Sequence, residues 1–123
     1  MEIKELTRAE EQLMQILWQL QKGFIKDIIE ELPEPKPAYN TVSTIIRILE
    51  TKGFVDHQAF GKTHEYFPII SKEEYQNFAT DKLMNGYFDN SVKHMFSYFV
   101  KKEKIDMKEA DEIMKLIEKL KNK

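Results

Sequence analysis

Asn40, Thr44 and Arg47 recur every three or four residues in the stretch "YNTVSTIIRILETKGFVDHQ", Tyr39–Gln58. That spacing puts them on one side of a helix, with Thr51 a turn further on. Val42, Ile45, Ile46 and Leu49 form the apolar stripe on the other side, and Thr41 and Ser43 flank it. A solvated helix face usually mixes Glu with Lys. This one offers short hydrogen-bonding groups and a guanidinium, and little acid. Those groups suit the edges of stacked bases. Asn pairs with adenine through two hydrogen bonds and Arg with guanine likewise; Thr and Ser meet base edges, thymine methyls or phosphates. A face of short side chains also lets the backbone come close. The bland alternative is an ordinary amphipathic helix with a polar outside.

The flanking residues sharpen the choice. Gly53 is suited to end the helix, because glycine accepts positive φ. From Phe54 the period changes: Phe54, Val55 and His57, then His64, Tyr66 and Phe67, suit two strands. Phe60-Gly61-Lys62-Thr63 is the turn between them. Any hairpin tip favours Gly and Lys. A wing tip would also use Lys62 on phosphate and Gly61 for close approach.

Upstream, Thr7-Arg8-Ala9-Glu10 fits a capping box and starts a helix over about 8–21, with Leu13, Ile16, Leu17 and Leu20 at helical spacing. Lys22-Gly23 is expected to end it. A shorter helix follows over about 25–32. Pro33, Pro35 and Pro37 forbid its continuation. The order helix, helix, helix, hairpin describes a winged helix-turn-helix.

After Ile70 the pattern is helical again. Ser71-Lys72-Glu73-Glu74 forms a second capping box, Gly86 and Asn90 suggest a break, and Asp106 caps a last helix. Val92, Met95, Phe96, Phe99 and Val100 make one stripe. Ala110, Ile113, Ile117 and Leu120 follow the seam spacing of packed helices. So short a tail cannot bury Phe88, Phe96, Tyr98 and Phe99 alone, which implies pairing with a second copy. The expected architecture is mainly α with a small β-hairpin: a winged-helix DNA-binding domain over 1–70 and a helical dimerisation domain over 71–123. Val92, Phe96, Phe99, Ile113, Ile117 and Leu120 are the expected dimer contacts.

The 123 residues are 41% hydrophobic and 33% charged, as in a globular chain, and contain no cysteine, which excludes disulfides and thiolate chemistry. No apolar run approaches a membrane span and the N-terminus has no signal-peptide pattern, so a cytoplasmic location without membrane insertion is expected. The net charge of −2 argues mildly against nucleic acid. Locally the balance reverses: over 36–66, Lys36, Arg47, Lys52 and Lys62 face three acids, a net of +1. His57, His64 and His94 lack metal-ligand spacing, although the first two could face each other across the hairpin. Adjacent acids such as Glu10-Glu11 point in different directions and make no catalytic dyad. Neither a nucleophile motif nor a phosphate loop is present, so no enzyme, metal or cofactor is expected.

Leu6-Thr7 with Glu10, then "MQILW" at 14–18, resemble the opening of the penicillinase-repressor family, of the BlaI/MecI/CopY type. Tyr39–Gln58 is similar to that family's recognition helix and first wing strand, and "GKTHEYFPII" to its turn and second strand. The tail stretch "GYFDNSVKHMFSYFVKKEKID" also looks alike. The resemblance covers about Leu6 to Leu120. Thr41 and Thr44 followed by Leu49, Lys52 and Gly53 are its most specific part. It implies a homodimeric transcriptional repressor on a palindromic double-stranded DNA operator. Asn40, Thr41, Ser43, Thr44 and Arg47 would then face the groove, with Lys62 on the wing-side backbone. Lys52 is added as an expected DNA contact, and so is Tyr39, which at the helix start could pack on the sugar-phosphate backbone or merely cover the helix end. It further implies control by a membrane metallopeptidase sensor acting indirectly, with cleavage in the tail. The matching bond here is Tyr98-Phe99, where the family often has Asn-Phe. The copper branch's cysteine motif is missing. The runner-up is a winged helix used for protein contact without DNA.

Overall fold

The computed structural model describes residues 2–122. It divides into two compact units, Met1–Phe78 and Ala79–Lys123.

The first unit holds α1 (Arg8–Leu20), α2 (Ile25–Glu31), α3 (Tyr39–Thr51), the strands β1 (Val55–Phe60) and β2 (Thr63–Pro68), and the opening turns of α4 (Lys72–Tyr87). The capping box at α1 forms as its sequence dictates: the Thr7 Oγ1 accepts from the Glu10 amide and Glu10 Oε1 accepts from the Thr7 amide. The left-handed residue that closes α1 is Gln21, φ 72°. Gly23, expected to stop the helix, has another task. Its N–H and C=O pair with Tyr66 at 2.9 and 2.8 Å, stitching the α1–α2 connection to the wing. Gly53 ends α3 at φ 85° and Gly61 turns the hairpin at φ 63°, both as anticipated.

Leu13, Met14 and Leu17 of α1, Ile28 of α2, and Val42, Ile46 and Leu49 of α3 close on Phe54 and Val55 to make the core. Tyr75 belongs to this unit as well: its ring packs on Phe54 and Trp18, and its hydroxyl accepts from the Leu6 amide at 3.0 Å. The division between units therefore falls inside α4, beyond the change of pattern at Ile70.

One ion pair locks α3 to α1. Lys52 Nζ lies 2.6 Å from Glu10 Oε1, and Glu10 is 5% exposed. Burial alone would raise the Glu10 carboxyl, but hydrogen bonds from Lys52 and Thr7 and the lysine charge hold it below its ordinary value. A depressed carboxylate contributes stability that is complete above its unfolded pKa and lost as pH falls through the folded one. Glu10→Gln should therefore cost about 1–3 kcal/mol at pH 7. Below about pH 4 the gap from the parent chain should shrink. Urea unfolding followed by Trp18 fluorescence at both pH values checks this.

The second unit contains the rest of α4, α5 (Val92–Lys101) and α6 (Met107–Lys121). Gly86 lies inside α4; the break comes afterwards, where Asp89 and Asn90 take positive φ and Ser91 caps α5 by accepting from the His94 amide. Asp106 caps α6 in the same way through the Glu109 amide. Phe88 is the buried centre, ringed by His94, Tyr98 and Phe99. No helix among the described residues is long and apolar enough to cross a membrane.

Candidate nucleic-acid interface

α3 runs straight into β1, so the helix and the hairpin are positioned by a common core. On α3, Tyr39, Asn40, Thr41, Thr44, Arg47 and Thr51 are exposed. The Thr44 and Thr51 hydroxyls donate to the carbonyls of Asn40 and Arg47, one turn back. Arg47 donates to Ser43 Oγ at 3.0 Å while its side chain stays at the surface. Lys62 is exposed at the hairpin tip.

Two of the expected contacts are engaged within the fold. Ser43 is 6% exposed, because it sits at the edge of the apolar stripe of α3. Lys52 is held by Glu10 and the Glu5 carbonyl on the α1 side. Lys36, counted in the local charge, donates to the carbonyls of Ile29, Glu30 and Leu32 at the end of α2, where a cation suits the free C=O groups. Of the four cations over 36–66, Lys36, Arg47 and Lys62 are exposed, and Lys36 has its ammonium on those carbonyls.

The structure also adds residues that the pattern did not reveal. Ile48 is 42% exposed beside Thr41 and Thr44, an apolar side chain on an otherwise polar face. A groove of about 240 Å³ opens between the starts of α2 and α3 and β2, lined by Phe24, Lys26, Tyr39, Thr63 and His64. Lys26 brings a further cation to that groove. Helical periodicity could have flagged Ile48, whereas Lys26 is placed only by the tertiary arrangement.

The inner face of the wing is ordered by rings. His57 and His64 stack at 4.1 Å, nearly parallel, and Tyr66 lies 5.6 Å from His57. They are diagonal neighbours, since His57 pairs with Tyr66 and Ala59 with His64. Burial raises the Tyr66 phenol; the Glu50 charge raises it further, and Arg47 opposes both. Tyr66 thus stays protonated at neutral pH.

The fold is shared with known proteins. The penicillinase repressor family model matches residues 6–119. The chain belongs to the penicillinase-repressor family. The methicillin resistance regulatory protein MecI of Staphylococcus aureus is 25% identical over 116 residues, 94% of each chain. The penicillinase repressor of Bacillus licheniformis is 22% identical over 122 residues, 98% of this chain and 95% of that one. The solved DNA-binding domain of the repressor BlaI superposes with a TM-score of 0.53 at 25% identity, covering 60% of this chain and 92% of that one. The monomeric form of Bacillus licheniformis BlaI, solved in complex with the blaP half-operator, gives 0.50 at the same identity and coverage. The fold is a winged helix, and the family consists of repressors rather than enzymes.

In the second unit the expected dimer contacts separate. Phe96, Ile113 and Ile117 line an apolar groove of about 230 Å³ between α5 and α6, with Val100, Ile105 and Met114. Phe99 turns instead to the Phe88 cluster. Val92 and Leu120 are 57% and 68% exposed. The Tyr98–Phe99 bond lies within hydrogen-bonded α5.

Proposed function

We propose that this member of the penicillinase-repressor family is a homodimeric repressor that reads a palindromic operator with α3 and grips its backbone with the wing tip. The observation that carries the reading is the exposed Asn40–Thr44–Arg47 face on the third helix of a winged helix. An α-helix fits the major groove, and two such helices on one side of a duplex would meet half-sites about one turn apart or a small multiple. The half-operator complex of BlaI supports one head per half-site. The apolar groove of α5 and α6, with Leu116, Ile117 and Leu120 exposed beside it, supports a tail that pairs with a second copy. Occupied promoter DNA excludes polymerase.

Release follows from weakening the dimer. Cleavage in the tail, triggered indirectly by a membrane metallopeptidase sensor, would do so. At Tyr98–Phe99 it requires α5 to unwind first, because a protease needs an extended strand. Winged-helix docking on a protein is the second reading, favoured by the net charge of −2.

Fluorescence anisotropy with a palindromic operator and a scrambled duplex at two salt concentrations tests the reading. Specific binding that weakens as salt rises is expected. Lys62→Ala should lower affinity for both duplexes alike and reduce the salt slope by about one per chain. Indifference to sequence would overturn the regulatory reading.

A further inference from the structure

We propose that Glu50, Asp56 and His57 form a site for a divalent first-row transition ion that fastens the end of α3 to the base of the wing. Glu50 comes from α3; Asp56 and His57 come from β1. His57 Nδ1 lies 2.5 Å from Glu50 Oε2 and 4.0 Å from Asp56 Oδ1. One ligand atom from each of the three residues lies within 4.8 Å of the other two. No motif spacing announced this, because the histidine meets its helical partner only through the fold.

The donor set decides the kind of ion. One imidazole nitrogen with two carboxylate oxygens suits Zn²⁺ and its neighbours; Mg²⁺ and Ca²⁺ prefer oxygen alone, and Cu⁺ prefers sulfur. Bonds of about 2.0–2.2 Å place neighbouring donors about 3.3 Å apart in a tetrahedral shell. Opening the His57–Glu50 contact and closing the His57–Asp56 gap by less than about an ångström each brings those two pairs to that spacing, and the Glu50 and Asp56 oxygens already lie within 4.8 Å of each other. Both movements are side-chain rotations, since Glu50 and His57 are half-buried and Asp56 is exposed. The remaining position is left to water.

The imidazole is already oriented. His64 stacks on it at 4.1 Å and Tyr66 flanks it at 5.6 Å, so little side-chain freedom remains to be lost on binding. Asp56 Oδ1 also accepts from the His57 amide at 2.8 Å, which holds the carboxylate at the strand start. The competing account is a plain hydrogen-bonded Glu50–His57 pair with no ion.

The experiment uses the full chain without DNA, so its result is independent of operator binding. Zn²⁺ is titrated calorimetrically, and Co²⁺ is followed by its visible absorption and displaced with Zn²⁺. The expected result is one saturable ion per chain and a Zn²⁺-dependent rise in Tm. His57→Gln and Glu50→Gln should each weaken binding at least about tenfold, the scale of losing a group from a metal site. His94→Gln should leave it unchanged. Absence of saturable Co²⁺ binding to the unaltered chain overturns the proposal without any variant. Unchanged affinity in a folded His57→Gln, Glu50→Gln double variant overturns it equally.

Discussion

Arg47→Ala should remove sequence-specific operator binding while leaving the chain folded and paired. The guanidinium is exposed on α3 and makes one hydrogen bond of 3.0 Å, to Ser43 Oγ. Truncation costs the fold little: a helical serine can turn its hydroxyl to the carbonyl four residues back. A bidentate arginine–guanine pair contributes about 1–3 kcal/mol of discrimination, or about 5- to 150-fold. A dimer carries the residue twice, so the combined loss is about 2–6 kcal/mol. Arg47→Lys should not restore it, because an ammonium cannot make the planar two-pronged contact. Anisotropy with operator and scrambled DNA measures the loss. Unaltered discrimination would remove Arg47 from the groove and favour the protein-contact reading.

The other large effect is expected in the tail. Leu120 is 68% exposed, and Ile117, at the edge of the α5–α6 groove, is 42% exposed, so each leaves apolar surface open to a partner. On the proposed reading both are covered by a second copy. An aspartate at either position would then place an unpaired carboxylate in an apolar interface, at a cost of several kcal/mol. Ile117→Asp and Leu120→Asp should yield folded monomers in sedimentation equilibrium. Operator affinity should fall by about 10²–10⁴-fold, the advantage that linkage gives two half-site contacts. A dimer that survives both substitutions would refute the tail as the pairing element.

What could be read from the residues alone is the local chemistry. Thr7 with Glu10, Ser71 with Glu74 and Asp106 with Glu109 each announce a helix start within four positions, and each forms the expected hydrogen bonds. Gly53 and Gly61 mark the ends of α3 and β1 because backbone sterics favour glycine there. The exposed part of the α3 face follows from a period of 3.6. Long-range placement was not legible. Lys36 and Lys52 look available in a charge count, yet one closes α2 and the other pairs with Glu10. Ser43 is polar by type and buried by position, since it lies at the edge of the apolar stripe of α3. Gly23 reads as a helix stop and is a strand-like partner of Tyr66. Glu50 and His57 are brought together only when the hairpin folds back toward α3.

The Thr44 and Thr51 hydroxyls of α3 each spend their proton on a carbonyl one turn back. Towards DNA, Thr44 is then left with a lone pair and a methyl group, and it can receive hydrogen bonds but not give them. On the proposed reading, the base step opposite it would be restricted to partners that offer an amino hydrogen or a thymine methyl. Replacing Thr44 with valine would keep the second option and delete the first, so the operator position that changes its preferred base would reveal which register the helix adopts.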